Sequence, residues 1–281
     1  MNHVKVTNHL RATLAAQLAE IVENEPGTRL GKDPECLHRM RVATRRARSV
    51  LRVAGPLFEE KWSASLRAEL SWLGDVLGGV RDLDVLTAHL RSECETLEPA
   101  EADALRPVFS GLSAERKKAR AALTRALNGK RYASLLARLE EAATSPLLGE
   151  NGVALDARAA KEFDKLTKSM KRLGSEPTDE ELHRARISGK RARYAAELAA
   201  EVAPRSPESF IEKAKDFQDV VGVHQDAVVA EEKLRVLAHG DGAAFAAGRL
   251  AERERERKRR ARLELPRAWD RLRRAGKRTW R

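Results

Sequence analysis

A histidine and four arginines recur at helical spacing within residues 37–58, and no acidic residue interrupts them between Glu35 and Glu59. At about 100° per residue, these five side chains would fall within roughly 80° of one another on a helix. This first stripe consists of His38, Arg41, Arg45, Arg48 and Arg52. Successive charges would stand about 5 Å apart. Because arginine binds phosphate oxygens in pairs, the spacing suits a flexible polyanion with closely spaced phosphates.

Two further stripes of basic residues follow along the chain. Residues 182–196 repeat the pattern of residues 37–58 with the same phase, and residues 154–173 carry basic residues at spacings of three and four. The second stripe consists of His183, Arg186, Lys190 and Arg193. The third stripe consists of Arg158, Lys161, Lys165, Lys168 and Arg172. Stripes that converge from several helices would form a cationic trough.

Structural ion pairs are the main alternative to anion binding for these cations. Arg46 and Arg191 occupy matching positions beside the first and second stripes but off their axes. We expect one or both to pair with a carboxylate between packed helices. The candidate partners are Asp75, Asp82, Asp84, Asp219 and Asp226. Such pairing cannot absorb every arginine, and repulsion along the first stripe costs on the order of 1 kcal/mol unless an anion relieves it.

The histidines raise the hypothesis of a metal or catalytic site. No other histidine and no cysteine lies one helical turn from His38 or His183, as a helix-borne pair of such metal ligands would require. We interpret both as phosphate contacts that form hydrogen bonds or take up a proton. The histidines predicted to have no role are His3, His9, His89, His224 and His239.

Residues 254–258 match by letter the ExExK signature of triphosphate tunnel enzymes. That chemistry needs alternate residues of a strand to point the same way. Here the segment lies in a long helical run, where residues two apart diverge by about 160°. We therefore interpret the match as accidental, and we predict no catalytic residue, no metal and no cofactor.

The composition favours a polyanionic partner. The 281 residues carry a net charge of +12, and aromatic residues make up 4%, too few for a surface that stacks nucleic acid bases. The two cysteines, Cys36 and Cys94, lack metal-ligand spacing. Because the sequence has neither a signal peptide core nor an apolar run of membrane-spanning length, we expect a cytoplasmic protein with no membrane partner.

Helical periodicity and helix stop signals predict an all-α fold. In the first half of the chain, helices are predicted at residues 4–24, 34–54, 60–77, 81–97, 101–127 and 131–143. In the second half, they are predicted at residues 154–173, 178–203, 207–221, 224–237, 243–263 and 267–277. Asp33 and Thr178 are the predicted caps of the helices that carry the first and second stripes. Pro26–Gly27, Gly78–Gly79 and Gly222 are expected to interrupt helices.

The order of these patterns repeats. His38 precedes Asp82 by 44 positions, and His183 precedes Asp226 by 43, within two blocks whose residues align. Matching blocks at matching separations predict a duplicated helical unit. A loop at residues 145–152 would separate the two copies.

These residues resemble the CHAD family, which is named for its histidine-containing α-helical domain. The family signature, a His-x-x-Arg-x-x-x-Arg/Lys-Arg-x-Arg helix, is similar to residues 38–48 and 183–193. The family's Leu-Gly-x-x-Arg-Asp block resembles residues 77–82, and Tyr194 follows the second signature as it often does in the family. The similarity extends from about residue 5 to about residue 275.

The resemblance implies two helical bundles related by pseudo-twofold symmetry, with basic residues on a shared surface and a central cavity. It also implies binding of inorganic polyphosphate and, in bacteria, association with polyphosphate granules. Some relatives carry an N-terminal triphosphatase-like domain, which this sequence does not contain, so the resemblance carries no expectation of catalysis. Glu197 occupies the place of Arg52, which shortens the second stripe.

We therefore expect a non-enzymatic polyphosphate-binding protein built from two tandem helical bundles, residues 1–146 and residues 147–281. The alternatives are a nucleic-acid-binding or nucleoid-associated protein, whose basic helices would hold DNA phosphates by charge, and a metal-dependent phosphohydrolase, which would need a carboxylate cluster. The residues expected to contact polyphosphate are His38, Arg41, Arg45, Arg46, Arg48, Arg52, Lys161, Lys165, Lys168, Arg172, His183, Arg186, Lys190, Arg191 and Arg193.

Overall fold

The computed structural model describes residues 3–149, 154–201, 203 and 205–280. In those ranges the chain forms ten α-helices, a short 3₁₀ helix at Gly55–Leu57 and one isolated β-bridge between Phe58 and Leu148. The α-helices are α1 (His3–Leu30), α2 (Pro34–Val53), α3 (Glu60–Cys94), α4 (Pro99–Ala104), α5 (Arg106–Asn128), α6 (Lys130–Thr144), α7 (Leu155–Lys171), α8 (Asp179–Ala199), α9 (Glu208–Leu237) and α10 (Asp241–Trp280). The all-α fold is confirmed. Residues 150–152 of the predicted loop and residue 202 of the helix predicted at 178–203 lie outside the described residues.

Local sequence signals set the beginnings of α2 and α8, which carry the first and second stripes. Asp33 is the N-cap of α2, where its Oδ1 accepts a hydrogen bond from Glu35 N at 2.8 Å, and Pro34 is the first helical residue. Before α8, Thr178 Oγ1 accepts from Glu181 N at 3.2 Å, and the Glu181 carboxylate accepts from Thr178 N at 2.8 Å. These bonds satisfy amides that a helix end leaves open. Both predicted caps are confirmed.

Three predicted helix interruptions are wrong. Helix α1 continues through Pro26, α3 passes through Gly78–Gly79, and α9 passes through Gly222. A glycine inside a helix costs about 1 kcal/mol relative to alanine, which is less than the free energy gained by burying one leucine. On α3 the buried face continues across the two glycines, with Leu77 and Val80 both enclosed. Tertiary packing therefore overrides the local stop signal.

The end of α1 shows how packing extends a helix beyond a proline. A Cβ on Gly27 would overlap the side chain of Cys36, so the glycine lets α1 lie close to α2. Arg29 Nη2 donates to Leu127 O at 2.7 Å and ties the last turn of α1 to the end of α5. The helix ends at Gly31, whose φ of 71° suits glycine and whose N donates to Gly27 O at 2.9 Å.

Two further helix boundaries differ from the sequence prediction. The predicted helix at 101–127 is two helices, because α4 ends at Ala104 and Pro107 lies in the first turn of α5, where its missing N–H is tolerated. The predicted pair at 243–263 and 267–277 is one helix, α10, which passes through Pro266.

The described chain forms two compact units. Unit 1 consists of Met1–Arg81, Lys118–Lys161 and Tyr194–Pro207, and unit 2 consists of Asp82–Lys117, Glu162–Arg193 and Glu208–Arg281. Each unit draws residues from both predicted halves of the sequence, and helices α3, α5, α7 and α8 contribute residues to both units. The internal duplication and the boundary near residue 146 stay predictions.

Unit 1 is built around α1, which packs against α2 and α6. Its core includes Leu14 of α1, Met40 and Leu51 of α2, and Leu135 and Leu139 of α6, all of them enclosed. Leu135 and Leu139 are four residues apart and Met40 and Leu51 are eleven apart, and both spacings place the pair on one face of its helix. Helix α2 is thereby held with its basic side at the edge of the core.

Unit 2 is built around the long antiparallel pair of α9 and α10. Leucines of α3, α5, α9 and α10 form one buried cluster, with Leu90, Leu112, Leu234 and Leu250 almost without exposure. Edge-to-face aromatic pairs, such as Phe163 with Phe210, attach α7 to α9.

No helix in the described part of the chain combines the length and the apolar character that crossing a membrane requires.

Candidate phosphate-binding surfaces

The first stripe lies along one edge of α2. Most apolar residues of this helix are buried, and the exposed arginines beside the stripe are Arg39 and Arg46. Between these two faces, every member of the first stripe is half-buried: His38, Arg41, Arg45, Arg48 and Arg52. The phase that the sequence predicts is therefore confirmed. A half-buried cation keeps its charge close to solvent but loses part of its hydration.

Contacts within unit 1 orient the guanidinium groups of the first stripe. Arg48 Nη1 donates to Ser71 Oγ of α3 at 2.8 Å. The guanidinium carbon of Arg45 lies 5.7 Å from the centre of the Tyr194 ring, which is within range of a cation–π interaction. Arg41 lies against Gly78 of α3, where a Cβ would overlap its Nη1. The stripe is thus held in place by α3 and by the part of α8 that belongs to unit 1.

His38 carries a lowered pKa. Burial is the largest cause, and the positive charges of Arg81, Arg45 and Arg41 add to it, whereas Glu35 acts in the opposite direction. The imidazole is therefore neutral at neutral pH in the unliganded protein. A phosphate beside it would favour the protonated form and so raise this pKa again.

The second stripe has the same relation to α8. Arg184 and Arg191 are exposed, as are their counterparts on α2, and the stripe between them and the core is half-buried. The half-buried members are His183, Arg186, Lys190 and Arg193. His183 Nδ1 lies 2.8 Å from Gln225 Oε1, so Nδ1 carries the proton and Nε2 is left to accept or to bind a further proton.

An aspartate of α9 lies among the cations of the second stripe. Asp226 reaches solvent, yet the surrounding protein raises its pKa by desolvation, and the charge of Asp82 adds to that effect. Arg186, Arg257 and Lys190 act in the opposite direction. The Asp226 carboxylate lowers the net positive charge beside Arg186 and Lys190 of the second stripe.

The third stripe divides between two roles. Arg158 Nε donates to Val53 O at 3.2 Å and so satisfies a carbonyl at the end of α2. Lys161 is exposed in unit 1. The remaining three cations of the third stripe lie in unit 2. Lys165 and Lys168 are on α7, and Arg172 directly follows its last residue.

These three cations face α8 across a groove of about 660 Å³, here called the α7–α8 groove. The groove is lined on the α7 side by Lys165, Lys168, Ser169, Arg172 and Leu173. It is lined on the α8 side by Glu181, Arg184, Ile187, Ser188 and Arg191. Within unit 2 the third stripe therefore faces Arg184 and Arg191 on the exposed side of α8, and no member of the second stripe lines this groove. The predicted convergence of the stripes themselves stays a prediction.

The expectation that Arg46 or Arg191 forms a structural ion pair is wrong. Both side chains are exposed, and no carboxylate of the described residues lies within ion-pair distance of either. By contrast, Arg39 pairs with Glu35 and Arg184 pairs with Glu180, each four residues earlier and each at 3.5 Å. The positions four residues before Arg46 and Arg191 hold valine and isoleucine, so the same local pairing is closed to them.

A histidine that the sequence interpretation set aside belongs to a cluster in unit 2. His89 and Glu93 stand one turn apart on α3, a spacing that could have been recognised in the sequence, and the third member, Glu254, comes from α10. One ligand atom from each lies within 4.8 Å of the others. Arg257 Nη1 lies 2.7 Å from Glu254 Oε2 and 2.6 Å from His89 Nε2. A guanidinium therefore already neutralises the buried carboxylate.

The ExExK letters do not form a site. Glu254 contacts His89 and Arg257, whereas Glu256 pairs with Arg259 and Arg260 on its own helix. The third letter, Lys258, pairs with Glu231 of α9 at 2.7 Å. The three side chains diverge around α10, as the helical periodicity predicts.

Two other histidines that were predicted to have no role also have structural contacts. Within unit 1, His9 Nε2 lies 3.0 Å from Leu198 O. In unit 2, His224 is buried and receives a hydrogen bond from Arg262 Nε at 3.2 Å. Burial lowers the pKa of His224, and nearby Asp179 acts in the opposite direction. Both partners come from distant parts of the sequence, so no local spacing reveals them.

The chain matches the family model described as CHAD domain over residues 12–235. It is 32% identical over 257 residues to Uncharacterized protein Rv2226 of Mycobacterium tuberculosis (strain ATCC 25618 / H37Rv), with 86% of this chain and 48% of that protein covered. Uncharacterized protein MT2285 of Mycobacterium tuberculosis (strain CDC 1551 / Oshkosh) matches at the same identity and coverage. The chain thus spans about half the length of the curated relatives it matches.

Solved structures with the same fold include PptA from Streptomyces chartreusis, with a TM-score of 0.79, 20% identity and coverage of 94% of this chain and 99% of that one. The CHAD domain from the plant Ricinus communis is similar with a TM-score of 0.68 and 26% identity, and the match covers 97% of this chain and 91% of that one. Because the family model covers well over half of its residues, the chain belongs to the CHAD domain family.

Proposed function

We propose that this protein binds inorganic polyphosphate without transforming it, and that the first and second stripes are its main contact surfaces. The observation that carries the proposal is the matching placement of the two stripes, each half-buried between the apolar face of its helix and an exposed face. A charged face that served only to solvate its helix would be exposed throughout. The identity of the polymer rests on the CHAD family resemblance.

Half-buried guanidinium groups favour a multivalent anion as ligand. Burial removes water from the N–H donors, and a donor without a new acceptor costs about 1–3 kcal/mol. Arg186 Nε is buried and has no hydrogen-bond partner among the described residues. The non-bridging oxygens of a phosphate chain would supply such acceptors in charge-assisted pairs with arginine.

Nucleic acid is the competing partner, because basic helices hold any phosphate backbone by charge. Binding of single-stranded nucleic acid draws on aromatic side chains that stack with bases. Aromatic residues make up 4% of the chain, and Phe163, Phe210 and Phe217 are enclosed in the core of unit 2. A ligand that consists only of phosphates needs no stacking surface, which favours polyphosphate.

Catalysis forms no part of the proposal. The His89–Glu93–Glu254 cluster offers the oxygens and the nitrogen that a divalent cation would need, but Arg257 already occupies that position as its counter-charge. Association with polyphosphate granules is part of the proposal and follows from the same binding.

Competition between polymers tests the proposal. Labelled polyphosphate bound to the protein at physiological salt should be displaced by unlabelled polyphosphate at much lower phosphate concentration than by duplex DNA or single-stranded RNA. Equal displacement per phosphate would support the nucleic-acid alternative instead. In a parallel assay with magnesium or manganese, orthophosphate release from polyphosphate that depends on the His89–Glu93–Glu254 cluster would overturn the non-catalytic part of the proposal.

A further inference from the structure

The two sides of α8 carry separate sets of cations. The second stripe is half-buried, whereas Arg184 and Arg191 are exposed and line the α7–α8 groove. At 100° per residue, the centres of these two sets lie about 130° apart around the helix. The same phosphates therefore cannot contact both sets at once.

The α7–α8 groove keeps an uncompensated positive charge. Lys168, Arg172 and Arg191 have no carboxylate within ion-pair distance in the described part of the chain. The other two cations of the groove are paired with acids on their own helices, at 2.7 Å for Lys165 and 3.5 Å for Arg184. The acid that lines the groove, Glu181, is held by its hydrogen bonds in the cap of α8, which do not neutralise its charge.

The shape of the groove limits what it can hold. On each side the outermost cations are seven residues apart, which corresponds to about 10 Å along a helix. Cations stand on both walls, so the oxygens of one phosphate can be bound from two directions, whereas the second stripe lies on one helix. The hydroxyl of Ser188 adds a hydrogen-bond donor between Arg184 and Arg191. A short stretch or an end of a phosphate chain fits this length and charge.

We propose that the α7–α8 groove is a second, independent binding site for phosphate chains, so that unit 2 holds a chain on each side of α8. The inference rests on the proposed function, because it assumes that the second stripe also binds polyphosphate. Its consequence is that the protein bridges polyphosphate chains. Two attachment points on one molecule also raise the apparent affinity for a chain long enough to reach both.

A pair of double variants tests the inference. Arg172→Ala with Arg191→Ala removes two groove cations that have no carboxylate partner, so no carboxylate loses an ion pair. Arg267→Ala with Arg271→Ala removes the same charge from the exposed face of α10 and serves as the matched control. Circular dichroism and thermal unfolding confirm that both variants fold. Calorimetric titration with a short phosphate chain then counts the sites, and light scattering with a long chain reports bridging.

We expect the groove variant to bind one fewer short chain per protein than the wild type and the α10 control. With a long chain, its apparent affinity should fall by about tenfold or more, since one attachment point is lost. Arg186→Ala in the second stripe should remove a different short chain, and its effect should add to that of the groove variant.

The possible failures are distinguishable. An unchanged number of short chains in the groove variant, with normal binding by the wild type, would overturn the second site and leave the proposed function intact. An equal loss in the α10 control would show that net charge, rather than the groove, determines the count, and this too would overturn the site. A wild type that binds no polyphosphate would overturn both proposals.

Discussion

The guanidinium group of Arg41 lies directly against the backbone of Gly78, so that a Cβ on this glycine would overlap Arg41 Nη1. Gly78 lies inside the continuous helix α3, and Arg41 belongs to the first stripe on α2. The absence of a side chain at Gly78 therefore gives an arginine of the stripe its position. A glycine whose type indicates a helix stop serves instead to place a candidate ligand contact.

We predict that Gly78→Ala weakens polyphosphate binding by roughly threefold to tenfold, because the added methyl group displaces the Arg41 guanidinium and one charge-assisted contact is worth about 1 kcal/mol or more. The helix itself should remain intact, since alanine is the better helix former. Fluorescence anisotropy with labelled polyphosphate would measure the affinity, and far-UV circular dichroism would report the helix content.

Gly222→Ala provides the matched control on α9. No atom lies within 4 Å of a Cβ placed at Gly222, so the substitution meets open space. It should stabilise the protein by about 1 kcal/mol through helix propensity and leave the affinity unchanged. If both variants lower the affinity equally, contact between Gly78 and Arg41 is not what positions the stripe.

The parts of the structure that were predictable from sequence are those set by interactions within one helix. The caps at Asp33 and Thr178 are local hydrogen bonds, and the phase of each stripe follows from 3.6 residues per turn. For that reason the members of each stripe share one side of their helix, as the spacing predicts. The all-α fold follows from the same local periodicity.

The parts that could not be predicted depend on contacts between distant residues. Pro26 and the Gly78–Gly79 pair are stop signals by propensity, but each lies in a segment that another helix packs against. Arg191 was predicted to pair with an aspartate because its neighbours in space were unknown, and it instead lines a groove with cations of α7. The Glu254 partner of His89 comes from 165 positions away.

Removal of two arginines from the first stripe should reduce both affinity and salt dependence. We predict that Arg45→Ala with Arg48→Ala lowers the slope of log affinity against log salt by about 1.5 to 2, because about two fewer counterions are released per complex. Melting temperature without ligand should fall only modestly, because reduced repulsion along the stripe offsets part of what is lost with the hydrogen bond of Arg48 to Ser71 and the cation–π contact of Arg45 with Tyr194. Titrations at several salt concentrations would measure the slope.

The opposite pattern would contradict the role of the first stripe. A large loss of stability with an unchanged salt slope would mean that these arginines support the fold of unit 1 and do not bind the polymer. Arg267→Ala with Arg271→Ala is again the control for net charge, and its salt slope should stay close to that of the wild type.

The buried carboxylate of Glu254 should make Arg257 important for stability. Glu254 has no exposed surface, and Arg257 is its nearest cation, at 2.7 Å. We predict that Arg257→Ala lowers the free energy of unfolding by about 3 kcal/mol or more, because it leaves a buried charge without its guanidinium partner. Arg257→Ala combined with Glu254→Gln should recover much of the loss, and urea denaturation would measure both. A loss below about 1 kcal/mol, similar to that of Arg271→Ala, would show that the pair is dispensable.

The lowered pKa of His38 predicts opposite pH trends for stability and for binding. Without ligand, the folded protein binds a proton at His38 less readily than the unfolded chain, whose histidine pKa is about 6.5, so the contribution of His38 to stability declines as pH falls below that value. A bound phosphate favours the protonated imidazole, so polyphosphate affinity should rise as pH falls from 7.5 to 5.5. We expect the rise to be roughly threefold to tenfold larger in the wild type than in His38→Gln, since a pKa change of one unit corresponds to 1.36 kcal/mol. Affinity and melting temperature measured across this range would test both trends. Identical pH profiles for the two proteins would show that His38 does not contact the polymer.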